Sequence, residues 1–238
     1  MKTNPVTISC ICVTDSRPDL LIRAIYCFAQ QDFQNKELVI SYPRKDRETK
    51  QLINRILELN QIQILQIERE NKESIGNARN IAISQCNGSY ICIWDDDDWY
   101  HPNRLTFQYE SLFKKPTVFN ATILIRLLLY DSTTDKSYLS FPYTWENSLM
   151  CRKEIIMQNQ YKYANRGEDT HIIKFLDNRK ILDHIDAPYL YVYIYHGGNV
   201  WNYEHYKVLI DKSEELPIEF TSKIKENINA YTFYTEKI

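Results

Sequence analysis

Apolar and polar positions follow two rhythms through the first half of the chain. Ile8-Ser9-Cys10-Ile11-Cys12-Val13 is a short, almost unbroken apolar run, as a strand buried on both faces requires. Ser16-Arg17-Pro18-Asp19 then sets an N-cap hydroxyl three residues ahead of an acid and predicts a helix start. Leu20, Leu21, Ala24, Ile25 and Phe28 follow at helical spacing on one face. The cycle repeats. Residues 37–41 predict a second strand, and Leu52, Ile53, Ile56 and Leu57 the core face of a second helix. Residues 62–67 predict a third strand. A third helix opens at Ser74, carries Ala78, Ile81 and Ala82 inward, and stops at Asn87-Gly88. Tyr90-Ile91-Cys92-Ile93-Trp94 is the fourth strand.

Strand and helix alternating at this density predict an α/β fold. Right-handed crossovers lay down a mostly parallel central sheet with helices on both faces. Beyond a helix expected at 102–113 the alternation breaks down. An apolar strand at 121–130, a strand-like run at 136–141, helices at 152–158 and 170–176, a strand at 190–195 and a surface helix at 221–238 predict a mixed second half. One domain over 1–238, with a first half at 1–110 and a second at 111–238, accommodates this pattern. Ligands of such sheets sit beyond the carboxyl ends of the strands, so the loops at 14–16, 42–46 and 95–98 are expected to share one crevice.

Composition narrows the function classes. With Lys+Arg 29 against Asp+Glu 31, the chain lacks the basic field that binding to nucleic acid backbones relies on. The longest apolar stretch, 121–130, contains Arg126 and falls far short of the roughly 20 residues a membrane span needs; no transmembrane segment is expected. The start, Met1-Lys2-Thr3-Asn4-Pro5, has no long apolar signal region, so the expected location is the cytoplasm, with room for attachment at the inner face of a membrane. The six cysteines lie mostly within apolar runs without C-x-x-C spacing and read as reduced core thiols.

The chemistry concentrates at Asp95 to Asp98, directly behind the fourth strand. Two carboxylates about 4 Å apart repel by roughly 4 kcal/mol at an effective dielectric near 20, so a packed run of four calls for a cation, protonation or open solvent. An EF-hand is excluded, because Tyr100 falls where its glycine belongs and Thr106 where its bidentate glutamate belongs. No glycine-rich phosphate loop occurs either. An oxygen-rich Mg²⁺ or Mn²⁺ site, its shell completed by ligand phosphates, remains alongside a solvated acidic turn.

Thr14 with Arg17-Pro18-Asp19, Glu37-Leu38-Val39-Ile40, Ser74-Ile75-Gly76-Asn77-Ala78-Arg79-Asn80 and Trp94-Asp95-Asp96-Asp97-Asp98-Trp99 with Pro102 and Leu105, in this order, resemble the family 2 glycosyltransferases of GT-A fold. The likeness spans about the first 110 residues. It implies a nucleotide-sugar donor, a UDP-sugar as first expectation, held by the first half, and a saccharide or lipid-linked hydroxyl acceptor held by the second. Asp95 and Asp97 are then the D-x-D pair that holds a divalent cation, Mn or Mg, with His196 of Tyr195-His196-Gly197-Gly198-Asn199 completing that site. Thr14, Asp96 and Arg79 are implied on the donor side. Glu168-Asp169 resembles the family's acidic pair, with Asp169 as general base of an inverting transfer and Glu168 beside it; read alone, Asp169 is equally a helix N-cap.

Tyr143-Thr144-Trp145-Glu146 looks like the acceptor-side loop, giving Trp145 and Glu146 to the acceptor, and Trp99, Tyr100 and Trp201 offer further rings for stacking on a sugar. Where the family carries an acidic pair after the second strand, this chain has Tyr42-Pro43-Arg44-Lys45-Asp46. Tyr42 for base stacking, with Asp46 or Asp15 as the acid, are the candidates left to read the nucleotide. Two rival readings use the same crevice: a Mg²⁺-dependent phosphohydrolase or nucleotidyltransferase, and a saccharide-binding protein without catalysis.

Overall fold

The computed structural model describes residues 7–59, 62–113 and 119–232. The first half alternates as its pattern predicts: β1 (Ile8–Val13), α1 (Pro18–Ala29), β2 (Lys36–Pro43), α2 (Arg47–Glu58), β3 (Ile64–Arg69), α3 (Ile75–Gln85) and β4 (Tyr90–Ile93). Then come β5 (Trp99–Tyr100), α4 (Arg104–Ser111), β6 (Ala121–Leu124), β7 (Leu128–Asp131), β8 (Lys136–Leu139), β9 (Met150–Arg152), α5 (Lys153–Gln158) and α6 (Thr170–Asn178). The chain continues through β10 (Leu182–Ile185), β11 (Tyr191–Tyr195), α7 (Tyr203–Ile210), β12 (Glu214–Glu215) and α8 (Ile218–Asn229).

Seven strands form the central sheet in the order β10-β6-β9-β4-β1-β2-β3. The strands β4, β1, β2 and β3 run parallel, whereas β9 runs antiparallel between β4 and β6. Both faces of the parallel part are covered, which is why these strands read as apolar runs. Cys10, Cys12, Leu38 and Ile40 pack with Leu21, Ile25 and Phe28 of α1 and Ile53 and Ile56 of α2. The residues between them, Ile11 and Val39, pack on the opposite face with Ala82 and Ile83 of α3 and Ile172 and Leu176 of α6. Strand order reverses between β1 and β4, which opens a crevice between their carboxyl ends.

A second sheet, β12-β8-β7-β11-β5, packs alongside. It comes partly from the run 121–130, expected as one strand. The chain leaves the large sheet after Leu124, and β7 belongs to the small one, paired with β11 and β8. Arg126 lies in the break and turns outward to pair with Asp186, its Nε 2.9 Å from Oδ1. A charged side chain inside an apolar run marked this change of sheet.

Other expectations shift at their ends. The N-cap of α1 is Arg17 rather than Ser16; Ser16 has a left-handed φ of 55° and hydrogen bonds to Asp15. The expected helix at 221–238 begins earlier, as α8, and its last six positions lie outside the described residues. All six cysteines are free and buried. Among the described residues no helix is long and apolar enough to cross a membrane.

Candidate active site

Four segments meet at the switch point. The first is the end of β1. Thr14 is buried, and its hydroxyl donates to Asp96 Oδ2 at 2.5 Å. Arg17 follows and forks across the next two acids, Nη2 to Asp96 Oδ1 at 2.7 Å and Nη1 to Asp97 Oδ2 at 3.0 Å. The sequence pattern alone assigns Arg17 no role. Its pairing with Pro18 at the start of α1 is the signal that could have found it, since that helix start faces the acidic run.

The second segment is the acidic run, whose members are not equivalent. Asp95 is 28% exposed and accepts from Arg79 at 3.1 Å. Asp96 is buried; loss of water and the adjacent Asp97 push its carboxyl up to about 7, against Arg17 and Thr14. At Asp97 burial pushes the same way, but His196, Arg17 and Arg23 outweigh it and hold the group below the ordinary carboxylate range. Asp98 turns inward, accepting from the Tyr191 hydroxyl at 2.5 Å and the Ile194 N–H at 2.8 Å. Burial and the negative charges of Asp97 and Asp95 raise it well above an ordinary aspartate.

The third segment is the start of α3, and it explains its own motif. A Cβ at Gly76 would lie 1.9 Å from the Lys162 carbonyl oxygen, so only glycine lets the helix meet the 161–168 loop this closely. Asn80 pairs with the Tyr161 backbone in both directions, at 2.8 and 2.9 Å. Arg79 then reaches Glu168 at 2.5 Å while holding Asp95, with Asp169 at 3.9 Å. The guanidinium expected to meet a diphosphate thus serves first as a strut joining the acidic run to the Glu168-Asp169 loop. Gly167, at φ 64°, makes the turn that presents that pair.

The fourth segment is 143–147, together with the chain after β11. Glu146 accepts weakly from the Thr170 hydroxyl at 3.4 Å. Burial, then the neighbouring Asp169, push Glu146 up to about 8. Glu168 is also raised by burial, against the pull of Arg79. Asp169 caps α6 by position without a side-chain capping bond, so its carboxylate is not tied up at the helix start. Trp145 is only 5% exposed but lines the cleft, and its indole N–H has no partner among the described residues. Trp201 and His205, stacked with ring centres 4.2 Å apart, form part of the rim.

These segments enclose a cleft of about 430 Å³, a size suited to a small-molecule ligand. Several expected residues lie elsewhere. Tyr42 is fully buried in β2 with its hydroxyl on Gln66 at 2.8 Å, so its ring has no face to offer a base. Asp46 uses both oxygens internally, one capping α2 through Thr49 N and the other accepting from Ser16 N. Asp15 is exposed and does not line the cleft. Trp99 and Tyr100 are core residues of β5, so neither stacks on an acceptor. The missed contributors include Tyr143, Asn147, Asn165 and Asn199 from loops and turns and His205 from α7, polar residues without a distinctive spacing.

The expected metal trio does not converge. Asp95 turns to Arg79, while His196 Nε2 lies 3.3 Å from Asp97 Oδ2 as a partner of that acid. Among the described residues no group of three or more metal-capable side chains is assembled. What the cleft offers is Asp95 and Asp97, whose recorded contacts each use one oxygen. That donor set fits a Mg²⁺ or Mn²⁺ ion held by one or two carboxylates and completed by a ligand's phosphates.

Residues 9–175 match Glycosyl transferase family 2, a stretch that contains the whole acidic run and the Glu168-Asp169 pair. The chain belongs to this family. Over 108 residues it is 38% identical to the putative colanic acid biosynthesis glycosyl transferase WcaA of Escherichia coli K12, a match covering 44% of this chain and 37% of that relative. Residues 1–349 of S. aureus TarS, solved in complex with UDP-GlcNAc, superpose with a TM-score of 0.65 at 15% identity, covering 82% of this chain and 60% of that fragment. The mannosyltransferase PcManGT of Pyrobaculum calidifontis, solved with GDP-Man and Mn²⁺, also gives 0.65 at 15% identity, with coverage of 87% and 61%. The fold of this family 2 member is therefore that of the GT-A glycosyltransferases.

Proposed function

We propose that this chain transfers a sugar from a nucleotide diphosphate donor to a hydroxyl of a saccharide or lipid-linked acceptor, with inversion. The observation that carries this reading is the meeting, in one cleft, of the Asp95 to Asp97 carboxylates with the Arg79-Glu168-Asp169 bridge. The solved complexes of TarS with UDP-GlcNAc and of PcManGT with GDP-Man support a UDP- or GDP-linked donor. The WcaA likeness supports a place in polysaccharide assembly.

Charge balance supports a cation. Seven carboxyl groups line the cleft (Asp95 to Asp98, Glu146, Glu168 and Asp169), and even with Asp96, Asp98 and Glu146 counted as neutral the other four outnumber the guanidiniums of Arg17 and Arg79. A diphosphate adds to that excess. A divalent ion held by Asp95 and Asp97, when bound, would supply the positive charge that stabilises the departing nucleoside diphosphate. The chain's own residues do the rest. Asp169 takes the proton of the acceptor hydroxyl as its oxygen bonds to the anomeric carbon. The bond from that carbon to the diphosphate oxygen breaks on the opposite face, and the electron pair leaves with the diphosphate. Arg79 keeps Glu168 and Asp169 at a fixed distance from the donor acids, while Trp145 and Trp201 give the acceptor sugar apolar faces.

The test is a pair of measurements. UDP or GDP with Mn²⁺ is expected to raise the melting temperature of the protein, and no shift with either counts against the donor. Asp169→Asn is expected to keep that shift and to lower transfer by roughly 10² to 10⁴-fold. Phosphate release at full rate without any acceptor would favour the phosphohydrolase reading instead.

A further inference from the structure

Arg17 is placed as a cation would be. Its guanidinium contacts two successive carboxylates of the acidic run at 2.7 and 3.0 Å, on the wall of the cleft where the donor diphosphate is proposed to sit. It is also the less enclosed of the two cleft guanidiniums. Arg79 is 8% exposed and held between Asp95 and Glu168, whereas the Arg17 side chain is 28% exposed and open to the cleft. Asp97 Oδ2, which accepts from Arg17, also accepts from His196, so one oxygen of a proposed metal ligand is already doubly occupied.

We propose that Arg17 is the resident counter-ion of the acidic run: in the ligand-free protein it takes the carboxylate edge that a divalent ion would otherwise neutralise, and it is handed to the diphosphate when ion and donor arrive together. This rests on the sugar-transfer reading above. The exchange is favourable only when both arrive. Metal alone enters beside a guanidinium that already neutralises Asp97, and diphosphate alone must draw Arg17 away from Asp96 and Asp97, which then keep only Thr14 and His196 as partners. The cleft therefore favours the metal–donor complex over either component alone, with Arg17 as the coupling element.

The experiment measures free Mn²⁺ by its paramagnetic resonance signal as it is titrated into native protein, Arg17→Gln and Arg17→Lys, with and without UDP or GDP. Without nucleotide, Arg17→Gln is expected to bind Mn²⁺ about tenfold more tightly than native protein. With nucleotide, its advantage is expected to reverse, because the diphosphate has lost a partner. Arg17→Lys keeps the charge but not the fork and is expected to fall between them. Mn²⁺ binding by Arg17→Gln that is equal to or weaker than native without nucleotide overturns the proposal, as does a lysine variant that matches the glutamine one. Failure of the native protein to bind Mn²⁺ even with nucleotide would instead remove the sugar-transfer reading beneath it.

Discussion

Replacing Glu146 by glutamine tests the electrostatics of the cleft without using a substrate. An ordinary glutamate ionises near 4.5, and in the folded protein burial and Asp169 push Glu146 up to about 8. Below pH 4.5 the group is protonated in both folded and unfolded chains, and its environment costs nothing. Between 4.5 and 8 the folded state keeps a proton that the unfolded chain has released, so stability falls as pH rises. Above 8 the loss is complete. At about 1.36 kcal/mol per pH unit the interval sets a ceiling of roughly 5 kcal/mol. Glu146 is partly reached by water, which brings the expected loss to about 2 kcal/mol. Glutamine keeps the shape and a donor but cannot ionise. Melting curves followed by circular dichroism from pH 5 to pH 9 should therefore show Glu146→Gln level with native protein at the acid end. At the alkaline end it should be more stable by roughly 4 to 8 °C. A melting difference that stays constant across this range refutes the argument, because a pH-independent gain would arise from packing and not from a displaced ionisation.

Two further outcomes follow from the same geometry. Arg79→Met leaves Asp95 and Glu168 as unpaired carboxylates in the cleft wall; a loss of about 3 kcal/mol, read as a melting temperature lower by roughly 6 to 12 °C, is expected at neutral pH, with partial recovery at pH 5 as those acids take up protons. Trp201→Ala is expected to raise the acceptor KM about tenfold while leaving the nucleotide-dependent melting shift unchanged, since the Trp201 ring packs with His205 and Arg166 and not with the acidic run.

The parallel core was legible because burial on both faces forces a signal into the sequence. Cys12 lies between Ile11 and Val13 and Cys92 between Ile91 and Ile93, and the intervening helices must show one apolar stripe. The second half lacks that constraint. Strand β9 has three residues and slots antiparallel between β4 and β6, too short to display any period. Strand β10 carries Asp183 and His184 at its centre, and helix α7 buries only Tyr206. The acids of the site were legible because four aspartates behind a buried strand have few uses. Tyr42, Asp46 and Trp99 are engaged in the interior for a common reason: their residue types suit ligand contact and interior packing or hydrogen bonding equally, and only the packing decides. Arg17 and His196 depend on contacts between segments 80 and 99 positions apart, which no local pattern records.

The fourth aspartate gives the cleft a mechanical linkage. Asp98 grips β11 at two points, the Tyr191 hydroxyl and the Ile194 amide, and that strand ends one residue before His196, which reaches back to Asp97. Chain and side chains thus close a ring through the large sheet, the small sheet and the proposed metal ligand. Any tug on the backbone of the acidic run is delivered to β11, and the histidine moves with it. A substitution that frees Asp98 would cut this ring and let the two sheets drift in register, even with every cleft-facing carboxylate still in place.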